Sequence, residues 1–405
     1  MAKEKEIRLE GAPDWYGTPL DQLEFKWSAE EKLEIERYCQ KILKNVAEEE
    51  MTPKERWKAT IAGKEKDRLL IHAVYINVYA VRTLDSGADA LKPIDVYRNP
   101  KLLVKAHLAT VARFALDFPT PYTLSYADEL WGGRAKMIEY GNPVMVGDPP
   151  IRSMADLEGL EVPDPKKDGL YPGYLWACRE MRRIYDEYGL TKVMPLWISF
   201  CGDGLGMPMM DMMGWNKTLV ALRKDPELVH QAADLATQFE IKFGQAVIDV
   251  ARPDELFMCV MSGAMPPKGN EWVAEYWARI GKALAPQAPI SYGYAFGLTT
   301  EWLPVMYGKG ALGPGSFCGG YAVADIDYRK MIDLSRERDL CISCALPDKV
   351  LLGGPISAIE EEIKKRCDYG KSYPKFAIGI YGVDYWTPQA HLDAAVAACK
   401  KYGKF

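Results

Sequence analysis

The sequence predicts an α/β protein, a single (β/α)8 TIM barrel with an N-terminal helical extension. Three observations favour this fold. Apolar, β-rich runs alternate with amphipathic helical patterns, the chain has 405 residues, and it has no GxGxxG motif after an early strand and no GxxxxGK[ST] motif. Alternation of this kind requires a parallel sheet, and its length suits a closed barrel better than an open dinucleotide-binding sheet. We expect residues 1–50 to form the extension, packed on a barrel of residues 51–405.

Two helices open the chain. Ser28 with Glu31 forms a capping box that predicts a helix over SAEEKLEIERYCQKILKNVAEEE. Thr52 and Pro53 predict the start of a second helix, which Gly63 closes, and DRLLIHAVYINV is the first predicted strand. The later predicted strands are PYTLSYA, NPVMV, KVMPLWISF, ELFMCVMSG, APISYGYAF, GSFCGGYAV, LCISCAL and PKFAIGI, separated by helical patterns such as NPKLLVKAHLATVARFAL and DPELVHQAADLATQFEIKFGQAVIDVA.

Composition argues against several classes of protein. A net charge of -5 and a pI near 5.7 do not favour a nucleic-acid-binding surface. No window approaches 18 uninterrupted apolar residues, and the start, MAKEKEIRLEGAPDW, has no apolar signal region. Nine scattered cysteines fit a reducing compartment. We therefore expect a cytoplasmic protein that binds neither nucleic acid nor membrane.

Cysteine and methionine patterns allow structural and functional interpretations. Cys341 and Cys344 form a CxxC motif, but it lies within a strand pattern, so the two side chains are expected on different faces and a metal or redox role is disfavoured. A Met/Trp group is either core or a lid over the site: Trp197, Trp215, Met207, Met209, Met210, Met212 and Met213.

Candidate site residues follow from strand position. In TIM barrels, chemistry lies in loops at the carboxyl ends of the strands. That rule selects residues closing the apolar runs, among them Asp128, Glu129, Asp203, Tyr294, Phe296, Tyr381 and Asp384. A helix cap is the alternative role for Asp128 with Glu129, and a turn is the alternative for Asp203.

Five segments, in register, resemble the uroporphyrinogen decarboxylase superfamily. MTPKERWKATIAGKEKDRLLI resembles its opening signature, and YGVDYWTPQAHLDAAVAACKKYG resembles its terminal segment. Between them, PPIRSMADLEGLEVPDP, DPELVHQAADLATQFEIKFGQAVID and CALPDKVLLGGPISAIEEEIKK resemble three connecting segments. The resemblance covers roughly residues 51 to 403 and implies a barrel with a deep central pocket at the carboxyl ends of its strands.

The decarboxylase branch fits less well. Those enzymes hold a polycarboxylated tetrapyrrole with an Arg-rich loop after the first strand, whereas HAVYINVYAVR contains only Arg82. Asp128 aligns with the decarboxylase Asp. The histidine of the family's terminal segment is replaced here, by Tyr381 or a neighbour.

The resemblance instead favours the corrinoid-dependent methyltransferase branch. Members that act on thiols hold zinc with His-x-Cys and a later Cys; Tyr294, Phe296 and Tyr381 or a neighbour stand at those positions. The familiar motifs therefore do not support zinc, although an unfamiliar ligand set is left open. The resemblance implies an O-demethylase-type methyltransferase of anaerobic metabolism. It would move methyl between a small donor, preferably a methoxylated aromatic, and the cobalt of a cobalamin (corrinoid) carried by a partner corrinoid-binding protein.

Two other functions stay open: a decarboxylase or lyase acting on a smaller carboxylated substrate through Asp128, and a non-catalytic binding protein. The sequence does not identify the methyl donor or acceptor, the direction of transfer or the oligomeric state, a homodimer included. For the methyltransferase we expect Asp128, Tyr294 and Asp203 to be catalytic. The expected substrate-binding residues are Glu129, Trp197, Phe296, Tyr292, Met261, Tyr381, Asp384 and Tyr385.

Overall fold

The computed structural model describes residues 9–73, 77–84, 91–119, 128–141, 143–201, 206, 211–260, 267–294, 317–320, 327–381 and 383–405. The strands are β1 (Leu9–Glu10), β2 (Leu70–Ala73), β3 (Phe118–Pro119), β4 (Ala135–Lys136), β5 (Val144–Met145), β6 (Trp197–Cys201), β7 (Glu255–Val260), β8 (Ile290–Tyr294), β9 (Phe317–Gly320), β10 (Cys341–Ala345) and β11 (Phe376–Ile380). The longer helices are α1 (Ala29–Ala47), α2 (Pro53–Ile61), α5 (Pro100–Phe114), α7 (Tyr171–Glu187), α8 (Trp215–Lys224), α9 (Pro226–Ala251), α10 (Pro267–Leu284), α11 (Tyr328–Glu337), α13 (Ile356–Gly370) and α14 (Gln389–Gly403). Shorter ones are α3 (Asn77–Ala80), α4 (Asp95–Arg98), α6 (Met154–Leu157) and α12 (Asp348–Gly353), with 3₁₀ turns at Val81–Thr83, Asp128–Trp131 and Leu190–Lys192.

Eight strands form one sheet in the order β3-β2-β11-β10-β9-β8-β7-β6, and every neighbouring pair is parallel. The two edge strands, β3 and β6, follow each other in the chain order of this sheet. The first residues of these two strands are in contact. The ring of Phe118 stacks on that of Trp197 with 4.4 Å between centroids. The predicted α/β class with a parallel sheet is confirmed. No backbone pairing between β3 and β6 is present in the described residues, so closure of the barrel stays a prediction.

Several predicted strands needed correction. NPVMV, at 142–146, was wrong as a strand of the main sheet, because β5 pairs antiparallel with β4 in a separate three-stranded sheet, β1-β4-β5. The first strand is shorter than predicted: β2 ends at Ala73, and Asn77–Ala80 is helical. The run PYTLSYA, at 121–127, lies outside the described residues, and β3 lies just before it.

Both predicted helix starts are confirmed. Ser28 caps α1 and forms the capping box with Glu31, whose backbone N–H donates to Ser28 Oγ over 3.1 Å. Thr52 and Glu55 form the same box at α2, with a proline in the first turn. These reciprocal hydrogen bonds satisfy amide groups that a helix otherwise leaves unpaired, so each start is determined locally.

The N-terminal segment packs on the outside of the sheet-and-helix body. α1 lies along α5, where Asn45 Nδ2 donates to the Ala112 carbonyl over 3.0 Å and Lys105 pairs with Glu34 at 2.8 Å. Among the helices in the described ranges, none has both the length and the apolarity that crossing a membrane requires.

A buried ionic network holds α2 beneath the amino ends of β2 and β3. Asp117 binds Arg56 at 2.6 Å and Arg68 at 2.6 Å, and it accepts the Ile71 backbone N–H over 2.9 Å. Burial opposes ionisation of Asp117, but the two guanidinium charges outweigh it and lower its pKa to about 2. Arg56 and Arg68 belong to the TPKERW…DR signature, so that part of the motif stabilises the fold.

Candidate functional site

One face of the main sheet carries its own buried cluster, separate from the larger core beneath the helices. Side chains alternate along each strand, so Ile71 and Ile378 belong to the larger core while Leu70 and Ala377, which are register partners, face the other way. We call this second group the inner cluster: Trp57, Leu70, Phe118, Trp197, Phe257, Cys341, Ala345, Ala377 and Tyr381. Its members come from β2, β3, β6, β7, β10 and β11 and from helix α2.

The amino end of the inner cluster is closed by Trp57 of α2. Trp57 Nε1 donates to Glu255 Oε2 over 2.8 Å, and Glu255 is fully buried as the first residue of β7. Burial raises the pKa of Glu255 to about 8, although hydrogen bonds from Trp57 and Ser291 partly offset this effect. At neutral pH this carboxyl is therefore largely protonated. It lies at the end of the sheet opposite to the loops in which barrel enzymes place their chemistry.

A histidine and a tyrosine meet towards the other end of the cluster. His72 lies on β2 opposite Gly379 of β11, and its Nδ1 is 2.7 Å from the Tyr381 hydroxyl oxygen, one residue beyond the end of β11. Both side chains are only 1% exposed. Burial lowers the pKa of His72 to about 3, so the imidazole is neutral at physiological pH. The predicted site residue Tyr381 is thus at the carboxyl end of its strand.

Trp197 belongs to the same inner cluster as Tyr381, but it begins its strand whereas Tyr381 follows the end of β11. It is the first residue of β6, it is completely buried, and its Nε1 donates to Ser291 Oγ over 2.9 Å. Its ring also lies 4.4 Å from that of His72. The structure therefore places this predicted substrate-binding residue at the amino end of the strand, among core side chains.

Glu129 is held by the N-terminal segment. It lies in the 3₁₀ turn Asp128–Trp131, is 7% exposed, and accepts a hydrogen bond from the Tyr16 hydroxyl over 3.0 Å. Burial and the Glu129 charge both raise the pKa of Tyr16, so the phenol stays protonated and donates. The backbone of Gly169 also lies close to the Glu129 carboxylate, since a Cβ added at Gly169 would be 3.1 Å from Glu129 Oε1. The backbone of Asp128 belongs to the same turn, whereas its side chain is outside the described residues.

The loop after Tyr381 is built by its own polar groups. Asp384 Oδ1 accepts the Trp386 backbone N–H over 2.8 Å, which makes Asp384 a turn-forming residue. Arg82 donates to the carbonyl of Tyr385 over 2.8 Å and to that of Thr387 over 3.2 Å. The Tyr385 hydroxyl donates to the Leu91 carbonyl at 3.3 Å. In this structure Asp384 and Tyr385 shape the loop.

The prediction that Tyr292 faces the substrate needs correction. Tyr292 is a register partner of Met258 on the face of the sheet beneath the helices, and its ring lies 5.7 Å from that of Trp277 in α10. It is separate from the inner cluster because strand alternation reverses the side chain at each residue. The backbone of Tyr294 ends β8, but its side chain is outside the described residues, as are Asp203, Met261 and Phe296 altogether.

No three His, Cys, Asp or Glu side chains come together as metal ligands within the described ranges. The structure thus offers no donor set there on which to build a zinc step. The predicted placement of the two CxxC side chains on different faces is confirmed: Cys341 belongs to the inner cluster and Cys344 to the larger core. Burial raises the pKa of each thiol to about 12, which keeps both as unreactive thiols.

Met212 and Met213 are core residues, whereas Met207, Met209 and Met210 lie outside the described residues.

Sequence reasoning missed His72 and Glu255. His72 stands two residues after Leu70 in LLIHA, so period-two alternation places both on one face, and that spacing was the available signal. Nothing local indicates that its partner is Tyr381, 309 residues away. Glu255 lies between a charged turn and an apolar run, where a solvent-exposed carboxylate is the usual expectation.

Comparison with known proteins agrees with the geometry. The family model for uroporphyrinogen decarboxylase (URO-D) matches residues 52–402. A uroporphyrinogen decarboxylase of Anaeromyxobacter sp. (strain Fw109-5) is 23% identical over 324 residues, covering 75% of this chain and 86% of that protein. That of Anaeromyxobacter dehalogenans (strain 2CP-C) is 24% identical over 328 residues, covering 76% and 88%. A methyltransferase from Methanosarcina mazei shares the fold with a TM-score of 0.70 at 20% identity, over 87% of this chain and 99% of that one. Since the family model spans most of its length, this chain belongs to the uroporphyrinogen decarboxylase (URO-D) family.

Proposed function

We propose that this protein is a corrinoid-dependent methyltransferase on a closed (β/α)8 barrel. It moves a methyl group between a small methoxylated aromatic compound and the cobalt of a corrinoid that a partner protein carries. Two findings support this proposal: the chain belongs to the URO-D family, and a protein with the same fold is named a methyltransferase.

The contacts of Arg82 are the observation that favours methyl transfer over tetrapyrrole decarboxylation. A substrate with many carboxylates needs several fixed cations. Arg82 is the arginine that follows β2, and its guanidinium already binds two carbonyls of the loop after β11 and lies over the rings of Tyr79 and Tyr385. A guanidinium engaged in this way is not available to a polyanionic substrate, which favours an apolar, aromatic one.

In this proposal the residues of the chain position the substrate and handle one proton. The corrinoid supplies the nucleophile that accepts the methyl group. The Tyr381 hydroxyl, at the carboxyl end of β11, donates its proton to the oxygen that loses the methyl group. Burial of this tyrosine among aromatic rings excludes water from that proton transfer.

A decarboxylase or lyase acting on a smaller carboxylated substrate is the second candidate. The names of the two Anaeromyxobacter relatives favour it. In that case Asp128 would be the acid–base group. This alternative requires a cationic side chain that binds the substrate carboxylate. The two activities form different products, so a product assay distinguishes them.

An anaerobic assay with cob(I)alamin tests the proposal. Purified protein is mixed with methoxyarenes, methylamines or betaines while the cobalt absorption spectrum is followed. We expect methylation of the corrinoid with methoxyarenes, at least a hundredfold slower in Tyr381→Phe, in the range for loss of a general acid. Tyr402→Phe, on the far end of α14, is the matched control and should retain the parent rate. Carbon dioxide release from carboxylated substrates without corrinoid methylation would overturn the proposal in favour of the second candidate.

A further inference from the structure

We infer that a segment of the chain before the family-matched region belongs to the candidate site. This N-terminal strap, residues 9–27, holds the 3₁₀ turn that carries Asp128 and Glu129, and Tyr16 is the positioning residue through which it does so. The family match begins at residue 52, so the strap lies outside the matched domain. The role of the turn in methyl transfer rests on the proposed function, whereas the contact between strap and turn does not.

The amino half of the strap is anchored beside the turn. β1 pairs in parallel with β4, the strand that follows the turn, and the Glu10 carbonyl accepts the Met137 backbone N–H over 3.0 Å. Trp15 Nε1 donates to the Arg98 carbonyl over 2.9 Å. A Cβ added at Gly173 would lie 2.4 Å from Trp15 Cη2, so a glycine there leaves room for the indole ring. These contacts join distant parts of the chain and fix the path of the strap.

The carboxyl half of the strap is anchored on a segment that packs against the turn from another side. The Gly17 backbone N–H donates to the Gly169 carbonyl over 3.0 Å. The Leu20 backbone N–H donates to the Lys166 carbonyl over 2.9 Å. A Cβ added at Gly169 would lie 3.0 Å from Leu130 Cδ2, so this segment and the turn are in close contact. The strap therefore connects the elements on both flanks of the turn.

Between these two anchors, Tyr16 binds the turn directly. Its hydroxyl donates to Glu129 Oε1 over 3.0 Å, and Glu129 is 7% exposed. Removing a carboxylate from water is costly unless hydrogen bonds satisfy it. Burial and the Glu129 charge raise the pKa of Tyr16 well above its usual range, so the phenol keeps the proton that it donates. Without this donor we expect the Glu129 carboxylate to turn toward solvent and the backbone of the turn, including Asp128, to move with it.

Carboxyl labelling tests the inference without substrate or corrinoid. Purified protein is treated with a carbodiimide and glycine ethyl ester, and the labelling of each carboxyl group is measured by peptide mass spectrometry. In Tyr16→Phe we expect Glu129 to be labelled about five- to thirtyfold faster than in the parent, the range for one lost hydrogen bond of this kind. Tyr38→Phe is the matched control, because it removes another tyrosine-to-glutamate hydrogen bond, to Glu34, from the same extension. It should leave the labelling of Glu129 unchanged.

Hydrogen exchange of the turn is the second measurement, and it remains available if Tyr16→Phe does not fold. Glu129→Gln keeps a side-chain oxygen that accepts from Tyr16, whereas Glu129→Ala does not. The backbone amides of residues 129–132 should therefore exchange near the parent rate in Glu129→Gln and faster in Glu129→Ala. Equal exchange in the two Glu129 variants, or labelling of Glu129 in Tyr16→Phe at the parent rate, would overturn the inference.

The anaerobic assay then connects the strap with the reaction. The turn lies in the connection after the carboxyl end of β3, where barrel enzymes place their chemistry. A displacement of about 1 Å can cost about a hundredfold in rate, so Tyr16→Phe should lower kcat/KM for the methoxyarene at least tenfold, and Tyr38→Phe should keep the parent value. An unchanged kcat/KM beside faster labelling of Glu129 would overturn the role of the strap in the site. If labelling and exchange behave as expected but no donor methylates the corrinoid, the strap still positions the turn and the proposed function fails.

Discussion

Replacing Glu255 with glutamine tests whether a protonated carboxyl closes the amino end of the inner cluster. Glu255 is fully buried, its Oε2 accepts from Trp57, and no ion pair reaches it from the described part of the chain. Its pKa is raised to about 8 from an ordinary value of 4.5, with burial as the largest cause. Glutamine keeps the shape and an oxygen for Trp57 but cannot ionise.

The expected magnitude follows from proton linkage. Between pH 4.5 and about 8 the folded protein keeps the proton on Glu255 while the unfolded chain has lost it, so stability falls as pH rises. The stabilisation that Glu255 contributes is fully present below pH 4.5. It is lost as the pH rises through about 8, the pKa of Glu255 in the folded protein. One proton corresponds to about 1.4 kcal/mol per pH unit, which is roughly 2–3 kcal/mol between pH 5.5 and 7.5. His72 acts in the opposite direction below pH 6.5, because its pKa is lowered by burial, and comparing variant with parent cancels that effect.

Urea unfolding followed by tryptophan fluorescence at pH 5.5, 6.5 and 7.5 measures this effect. We expect the unfolding free energy of Glu255→Gln, relative to that of the parent, to rise by roughly 2–3 kcal/mol across this range. Glu337→Gln is the matched control on the exposed end of α11 and should follow the parent at each pH. A difference between Glu255→Gln and parent that stays constant within about 0.5 kcal/mol would refute the reasoning.

Two further substitutions test the packing around the site. Asp117→Asn should lower the unfolding free energy by about 3–5 kcal/mol, because it breaks a buried ion pair, whereas Asp393→Asn breaks a half-exposed pair and should cost less than about 1 kcal/mol. Equal losses in urea unfolding would contradict the assignment. Gly370→Ala should cost about 1–3 kcal/mol, because its Cβ would lie 2.2 Å from the Phe376 ring. Gly353→Ala has nothing within 4 Å and should leave the thermal midpoint unchanged; a similar fall in both would argue against overpacking.

Local patterns determined much of the fold. The capping boxes at Ser28 and Thr52 place the starts of α1 and α2 because their hydrogen bonds join residues three apart. Apolar runs bounded by turns locate β6 to β11, and alternation correctly separates Cys341 from Cys344. The family signatures predicted the superfamily, and the family model that matches residues 52–402 confirms this prediction.

The predictions failed where partners are distant in the chain. Tyr292 lies in an apolar run that fits either face of a sheet, and the packing of Trp277 against it determines which face it occupies. The strand position of Tyr292 was therefore predicted correctly, and the direction of its side chain was not.

The sequence by itself determined the class of fold, the helix starts and the family, because short-range hydrogen bonds and hydrophobic periodicity carry that information. Only the tertiary structure decided which residues meet. His72 reaches Tyr381 across 309 residues, and Trp57 reaches Glu255 across 198, through the pairing and packing of distant elements. Burial then sets their protonation, lowering the pKa of His72 and raising that of Glu255. Desolvation depends on the whole surrounding structure, so no local motif encodes it.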